Sequence, residues 1–358
     1  MPIPRITMAD VAREARVHQT TVSLALRNDP RLPEATRERI RALARRLGYR
    51  PDPMLAALNF YRTSRDQAKA QPSMAFLTRF RYKKWGHTFF SDDQKLAGAR
   101  RAADRLGYRL VDFEVALTPG EGPRLSRILR SRGISGVIVG GLDTTLRELA
   151  LEWDHFSAIC IESQHLGLSL HTVGNNQLGI TRMAIRRMAE LGYRRIGLAV
   201  GQVEEATLGG LFSSGYLLEV HGTPGLELIP PLLLQPGDPP DAVAEARDWV
   251  KRHRIDAVLG NWSSTLDLLK AAGVRIPRDV GVAALDHNPA KGAVAGIRQS
   301  HKVVGERAVE ALALLMKTNQ TGPIRLPNMT LVDGVWEDGP DLPPRRASRP
   351  RRRPAGKT

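Results

Sequence analysis

The chain has 358 residues, a formal net charge of +16 at pH 7 and one cysteine. Its length allows two or three domains with sizeable cores, its charge points to a polyanionic partner with nucleic acid first, and a single thiol excludes a disulfide scaffold or a thiolate metal cluster. The sequence has no run of about 18 uncharged apolar residues, and its opening MPIPRITMADVAREA lacks a signal peptide's apolar centre, so a cytoplasmic protein with no membrane partner is expected.

The charge is concentrated at the two ends. Residues 1–65 hold 13 Arg against six Asp or Glu, and residues 341–358 hold six Arg and one Lys against one Asp. Only +3 remains for everything between. The middle therefore reads as an ordinary globular core, and the ends as the parts that meet a polyanion.

In chain order, Thr7 and Asp10 have the spacing of a capping box, and Val11, Ala12 and Ala15 follow on one helical face. A turn at RVH leads into QTTVSLAL, where Val22, Ala25 and Leu26 have helical spacing. A third helix runs through EATRERIRALARRLG, with Ile40, Leu43, Ala44 and Leu47 inward and Gly48 as its cap. Two short helices joined by a tight turn and braced by a third form a helix-turn-helix. Asp52 then suits an N-cap and Pro53 a first helical position, which predicts a short helix to about Asn59. At two turns it is too short to be stable alone. Residues 63–73, TSRDQAKAQPS, read as a linker.

From Met74 the pattern changes. Apolar runs such as MAFLTRF, SGVIVGG, FSAICIE, RRIGLAV, DAVLGNW and VGVAALD alternate with amphipathic stretches such as KLAGARRAADRLGY and GITRMAIRRMAELGY. Buried strands alternating with helices predict parallel sheets covered on both faces. The segments RLGYR, RLGYR and ELGYR at 46, 105 and 190 read as helices that end at a glycine and feed the next element. Cys160 falls within a buried strand and reads as a core thiol. The tail DLPPRRASRPRRRPAGKT is too rich in Pro and charge to fold alone, and a role in phosphate attraction stands beside that of a plain solvated tail.

ITMADVAREARVHQTTVSLALRND followed by LPEATRERIRALARRLGYRPDPMLAAL resembles the DNA-binding headpiece of the lactose-repressor (LacI/GalR) family of bacterial transcription regulators over residues 6–58. The resemblance implies that QTTVSLAL is a recognition helix in the major groove of a near-palindromic double-stranded operator. Gln19, Thr20 and Leu24 are then the base-reading side chains. Gln matches an adenine edge, Thr offers a hydroxyl or methyl, and Leu meets only apolar groups such as the thymine methyl. Thr7, Thr21, Ser23 and Asn28 become phosphate-positioning groups. The short helix after Pro53 becomes a hinge that pairs across a dimer in the minor groove. Leu58 takes the intercalating position, while Met54 and Leu55 face the partner hinge or the groove wall. Two positions depart from the family pattern: Arg16 stands at the turn glycine and His18 at the serine cap.

Farther on, GARRAADRLGYRL, RGISGVIVGG, NNQLGITRMAIRRMAELGYRRIGLAVG, GVRIPRDVGVAALDH and IRQSHKVVGERAVEALALLM resemble, in order, the family's sensor core, which shares its fold with periplasmic sugar-binding proteins. The expected fold is thus an N-terminal all-α helix-turn-helix headpiece plus an α/β periplasmic-binding-protein-like sensor core of two parallel-sheet subdomains. The expected divisions are a headpiece at 1–52, hinge helix and linker at 53–73, the core at 74–339 and a disordered basic tail at 340–358. Within the core, subdomain 1 takes about 74–171 and 297–317, and subdomain 2 about 172–296 and 318–339. The resemblance puts Asn261, Asp286, Gln299 and His301 in an effector cleft between the subdomains, where polar groups suit sugar hydroxyls. Phe212 stands where the family has a sugar-binding arginine, Trp262 replaces an aspartate, and Asn175-Asn176 replaces Asp-Asn. An effector stacked on aromatic rings and a core that has lost its ligand are both compatible with these changes.

No Gly-x-Gly-x-x-Gly, phosphate-binding loop or Gly-x-Ser-x-Gly elbow occurs, and the nine histidines show no paired metal spacing, so neither an enzyme nor a cofactor or metal site is expected. The expected protein is a sequence-specific DNA-binding regulator, a dimeric repressor whose operator affinity responds to a small, sugar-like effector. The alternative is an architectural or constitutive DNA-binding protein with a silent sensor. Leu58→Ala is expected to abolish operator bending and leave the dimer intact, as read by gel-shift bending assay and sedimentation; unchanged bending would assign Leu58 to protein packing instead.

Overall fold

The computed structural model describes residues 6–26, 29, 31–47, 49, 71–78, 90–115, 121–142, 148–162, 166–235, 239–261, 264–287 and 294–345. At the N-terminus, α1 (Met8–Ala15), α2 (Gln19–Leu26) and α3 (Glu34–Leu47) pack around Val11, Ala12, Ala15, Val22, Ala25, Ile40 and Ala44. The capping box is present: the Asp10 N–H donates to Thr7 Oγ1 at 3.3 Å and the Thr7 N–H to Asp10 Oδ2 at 2.9 Å. These bonds satisfy amides that the first helical turn leaves without partners, and they hold the Asp10 carboxyl below its ordinary range.

The turn between α1 and α2 is the strained point of this module. Arg16 closes α1 in the left-handed region (φ 55°, ψ 44°) while the Val17 N–H reaches back to Ala12 O at 3.1 Å. Glycine fills that conformation without steric cost, but a side chain pays about 1–2 kcal/mol. His18 takes the capping role at the start of α2: its Nδ1 accepts the Thr20 N–H at 3.4 Å and sits 2.8 Å from Thr20 Oγ1. From α3, the Arg41 Nε donates to Ala25 O at 3.1 Å and the Arg39 guanidinium to Ala15 O at 3.4 Å, covering carbonyls at the ends of α2 and α1.

Two six-stranded sheets form the rest. The first contains β1 (Ser73–Thr78), β2 (Arg109–Glu114), β3 (Gly136–Val139), β4 (Ser157–Ile161), β5 (His171–Asn175) and the late strand β11 (Met329–Val332). Its order is β11-β5-β4-β3-β1-β2 and every pairing is parallel. The second contains β6 (Ile196–Gly201), β7 (Leu232–Leu234), β8 (Ala257–Gly260), β9 (Gly281–Ala284), β10 (Gly296–Arg298) and β12 (Val335–Glu337). Its order is β12-β10-β9-β8-β6-β7, with only β12 antiparallel. Separate apolar clusters cover the two faces of each sheet, which is why the central strands are apolar throughout.

Helices α4 (Phe90–Arg105) and α5 (Glu121–Ser131) serve the first sheet. Helices α6 (Gln177–Glu190), α7 (Gln202–Thr207), α8 (Leu211–Gly222), α9 (Pro239–Arg252) and α10 (Ser264–Ala271) serve the second. Helix α11 (His301–Lys317) returns to the first sheet and packs on α4 through Val304, Ala308, Val309 and Leu312. The backbones of this pair approach so closely that a Cβ on Gly98 would strike the Lys302 carbonyl oxygen, and one on Gly305 the Lys95 carbonyl oxygen.

The chain passes between sheets three times: after Asn175, after Arg298 and after Val332. The first and third crossings lie beyond the positions expected near His171 and Lys317, because β5 continues to Asn175 and MTLV adds β11 to the edge of the first sheet in register with Thr172–Asn175. Two of the three Leu-Gly-Tyr segments end helices as expected: Gly107 and Gly192 have φ of 78° and 96°, and the Tyr108 and Tyr193 amides reach back to Ala103 O and Met188 O. Gly48 lies outside the described residues. Cys160 is buried in β4, as expected of a core thiol.

The left-handed Arg16 yields a direct test. Arg16→Gly is expected to stabilise the three-helix module by about 1 kcal/mol, measured as slower exchange of the buried Val22, Ala25 and Ile40 amides. Equal or faster exchange would show that the turn stores no strain.

Candidate functional site

On α2, Val22 and Ala25 are buried against α1 and α3, while Gln19 and Thr20 are exposed and Thr21, Ser23 and Leu24 half-buried. The helix thereby presents Gln19 and Thr20 outward from its first turn, on a module rich in arginine. Thr7, the remaining described member of the expected DNA-facing set, is exposed at the start of α1, where its hydroxyl is engaged by Asp10 at 2.6 Å. Asn28, Met54, Leu55 and Leu58 lie outside the described residues, as do 50–70 and 346–358.

The second site is a cavity of about 200 Å³ between the two sheets, at the carboxyl ends of their strands. This is where parallel α/β sheets offer ligands backbone ends and loops instead of packed side chains. Phe212, Asn261, Asp286, Gln299 and His301 all line it; Trp262 lies outside the described residues. Each reaches the cavity because it follows a strand or opens a helix: Asn261 comes directly after β8, Asp286 two positions after β9, Gln299 after β10, His301 at the start of α11, and Phe212 in the first turn of α8.

Asp92, Lys95, Glu162, Gln177 and Glu204 line the same cavity. Lys95 Nζ donates to Glu162 Oε2 at 2.6 Å and lies 3.4 Å from Asp92 Oδ1, with Lys95 and Glu162 8% and 12% exposed. Burial pushes the Glu162 carboxyl up, but the Lys95 ammonium and the Asn175 amide outweigh it and hold the group down to about 2. Burial pushes the Lys95 ammonium down, and Glu162 and Asp92 more than reverse this, so it stays charged. For Asp92 burial wins: despite Lys95, its carboxyl is raised. Burial raises the Glu204 carboxyl as well.

From Glu162 a hydrogen-bond chain runs across the crossings. Its Oε1 accepts the Asn175 backbone N–H at 2.7 Å, the Asn175 side-chain amide at 3.0 Å and the Gln177 amide at 3.3 Å. A carboxylate facing it identifies the Asn175 nitrogen as Nδ2. That nitrogen also faces His301 Nδ1 at 3.2 Å, so Nδ1 accepts and the Nε2–H donates to Asp286 at 2.9 Å. Gln177 and Gln299 exchange amide bonds at 3.2 Å each, and Gln299 Nε2 also donates to Leu285 O at 2.8 Å. Asn176 Nδ2 and Ser300 Oγ both donate to Asp333, at 2.7 and 3.2 Å. All three crossings are therefore laced to one another. Gln299 and both His301 nitrogens are engaged inside the protein, while the Asn261 amide nitrogen has no hydrogen-bond partner among the described residues. Asn261 Oδ1 accepts the Gly201 N–H at 3.3 Å.

Asp92, Lys95, Gln177 and Glu204 are not legible in the sequence as cleft residues, although one signal points to Lys95. It precedes Ala99 by one helical turn on the face that carries the buried Ala99, Ala102 and Ala103. A lysine on an apolar stripe is rarely buried without an anion.

An arginine-rich three-helix module joined to a two-sheet core with an interdomain cleft defines a class: a helix-turn-helix domain on a periplasmic-binding-protein-like domain. Residues 7–52 match the model for bacterial regulatory proteins of the lacI family, and residues 185–334 that for a periplasmic binding protein-like domain. Residues 7–52 are thus a lacI-family helix-turn-helix domain, and the core carries a periplasmic-binding-protein-like domain. The chain is 26% identical over 204 residues to the HTH-type transcriptional regulator PtxS of Pseudomonas plecoglossicida, covering 57% of this chain and 56% of that protein. The chain spans about half the length of the first curated relatives it matches, and these relatives are transcriptional regulators, not enzymes. In fold it is similar to the transcriptional regulator CelR in complex with cellobiose (TM-score 0.57, 21% identity, 94% of this chain and 100% of that one). It is likewise similar to the lac repressor dimer bound to operator and the anti-inducer ONPF (TM-score 0.56, 18% identity, 95% and 100%). Among the described residues no helix is long and apolar enough to cross a membrane, and no group of His, Cys, Asp or Glu is placed to hold a metal ion.

Removing Lys95 leaves the Glu162 carboxylate buried without its cation. Lys95→Met is expected to cost about 3–5 kcal/mol in urea unfolding, and adding Glu162→Gln to recover part of that loss. Because the Glu162 carboxyl titrates lower when folded (about 2) than its ordinary 4.5, its stabilisation is complete above pH 4.5 and is lost as pH falls from there toward 2. The stability difference between wild type and Glu162→Gln should shrink across that window; a constant difference would mean that the pair does not hold the carboxyl down.

Proposed function

We propose that the protein is a sequence-specific, DNA-binding transcriptional regulator, a dimeric cytoplasmic repressor whose affinity for a near-palindromic operator is set by a small sugar-like effector in the cleft. The observation that carries this reading is the outward face of α2: Gln19 and Thr20 are exposed on a basic module that matches the lacI-family DNA-binding model, while the opposite face of the helix is committed to the core. Gln19 and Thr20 read base edges, Leu24 meets apolar base atoms, and Thr7, Thr21, Ser23 and Asn28 hold the phosphates. Two-fold symmetric protomers place their recognition helices on half-sites about one helical turn or a multiple apart.

The cleft supports the effector half of the reading. Its residues come from both subdomains, and the three crossings between them are laced by short polar contacts that domain movement would rearrange. A ligand that favours one closure state shifts the balance between headpiece arrangements by its differential affinity for the two states. The relatives named as regulators, and the neighbours whose complexes hold cellobiose or an anti-inducer, support the same division of labour.

Selection of bound duplexes from random DNA tests the reading. A near-palindromic motif is expected, and Gln19→Ala is expected to cost about 1–3 kcal/mol on that motif while relaxing preference at one base pair per half-site. No palindromic enrichment would refute a dimeric operator reader, and an equal loss on all sequences for Gln19→Ala would remove its base-reading role.

A further inference from the structure

The arginine-rich segment at 346–358 is a sequence feature that the proposed function leaves unused, and the structure fixes where it starts. After β12 the chain runs back along β9: the Val282 N–H donates to Asp341 O at 2.8 Å, and Leu342 is buried in the core of the second subdomain. Tyr193 Oη then donates to Pro343 O at 2.8 Å, and the Arg345 N–H to Leu191 O at 2.8 Å. Arg345 Nη1 donates to Asp256 Oδ2 at 3.0 Å, with the guanidinium 5.2 Å from the centre of the Tyr193 ring. The same Asp256 carboxylate accepts the Arg194 and Arg195 backbone N–H groups. The chain is thus pinned up to Arg345 at the amino ends of β6, β8 and β9, which stand side by side through Ile196, Ala257 and Gly281.

The parallel strands of both sheets point their carboxyl ends at the cleft, so their amino ends form the two far poles of the core. The headpiece joins at one pole, through the chain leading into β1. The other pole is basic. In the segments before β6, β7, β8 and β9 (residues 191–195, 223–231, 251–256 and 273–280), seven Arg or Lys stand against Glu227, Asp256 and Asp279. The segments before β1 to β5 and β11 (71–72, 106–108, 132–135, 152–156, 166–170 and 322–328) balance at zero. Arg194, Lys251, Arg252, Arg254, Arg275 and Arg278 are all exposed. Residues 346–358 add five Arg and Lys357 with no acid. A basic folded surface and a basic arm therefore meet at the pole away from the headpiece.

We propose that this pole is a second, sequence-independent binding surface for duplex DNA, so that the chain holds one duplex with its headpieces and another at its far end. The identity of the first duplex rests on the operator reading; the second surface is additional to it. Arg and Lys neutralise phosphates and release counterions whatever the base sequence. A duplex is favoured over a single strand because residues 346–358 contain no aromatic side chain, and Tyr193, the aromatic of the four segments, is buried under Arg345; single strands are gripped by stacking on exposed rings. DNA held by the headpieces also raises the local concentration of neighbouring duplex around the arm.

Duplex capture by the full chain tests this. The chain is saturated on a tethered duplex carrying the selected motif, or on the tightest-bound duplex if selection yields none, and is offered a labelled random-sequence duplex at about 0.1 M salt. Retention of the label is expected, falling steeply as salt rises. Ending the chain after Arg345 keeps every anchoring contact. This truncation is expected to lower retention about tenfold or more, with affinity for the tethered duplex held within about twofold. Arg252→Glu combined with Arg278→Glu in the full-length chain should lower retention in part, and unchanged retention would remove the folded surface from the proposal. Equal retention by the intact and truncated chains overturns the second site. So does an equal loss of the tethered duplex on truncation, because the arm would then serve the duplex that the headpieces hold. Single-stranded RNA or polyglutamate displacing the label better than unlabelled duplex at equal charge would assign the pole to that polyanion and overturn the DNA reading. Capture that persists where selection yields no palindromic motif refutes the operator reading alone, so the two failures are told apart.

Discussion

The buried Lys95–Glu162 pair is the constraint around which the cleft is arranged. A carboxylate taken out of water at the end of β4 needs a cation and further donors to stay ionised. It finds the cation on α4, in the first sheet's own helical layer, and the donors on Asn175 and Gln177, at the first crossing into the second subdomain. From Asn175 the chain of bonds passes to His301 and Asp286, and from Gln177 to Gln299. One desolvated charge thus ties the floor of subdomain 1 to two of the strands' crossings. The close approach of α4 and α11 at Gly98 and Gly305 fixes where Lys95 stands relative to His301. Change in any of these groups reaches the cavity wall.

That arrangement has a consequence for motion. The apolar cores of the two sheets are separate, so the subdomains are not welded by a shared interior. What joins them near the cleft is the lacework of Asn176, Ser300 and Asp333 with the reciprocal Gln177–Gln299 pair. Polar contacts of this kind exchange partners at small net cost, whereas packed cores switch only as units. A hinge of amides between two rigid layers is suited to closing on a ligand.

The general plan is legible in the sequence because it depends on periodicity and caps. Alternating apolar runs and amphipathic helices specify parallel sheets covered on both faces, and the Leu-Gly-Tyr segments at 106–108 and 191–193 specify where helices stop, since Gly107 and Gly192 take φ values that side chains resist. The turn at Arg16 is legible too: a family glycine replaced by arginine predicts strain, and the residue is left-handed. The crossings are harder. MTLV is no more apolar than many loops, and it becomes a strand only because β5 offers an edge to it. The cleft divides the same way. Phe212, Asn261, Asp286, Gln299 and His301 follow from resemblance and converge in space, but whether each is free for a ligand depends on partners distant in sequence, as for Gln299 with Gln177, separated by 122 residues. The charged half of the cleft, Asp92, Lys95 and Glu204, arises from two helices, α4 and α7, meeting in three dimensions, and composition carries no trace of that.

On the proposed reading, the basic ends and the nearly neutral core answer to different partners, and the hinge of amides is where one is made to depend on the other. The most direct measurement is the affinity of the intact chain for its selected operator duplex, by fluorescence anisotropy at fixed salt, with and without the sugar-like ligand that stabilises the core most. A change of about 5- to 150-fold, the usual range for coupled sites, is predicted, with reciprocal change of ligand affinity on adding operator. Identical operator affinity at saturating ligand would contradict the coupling and leave the core a scaffold.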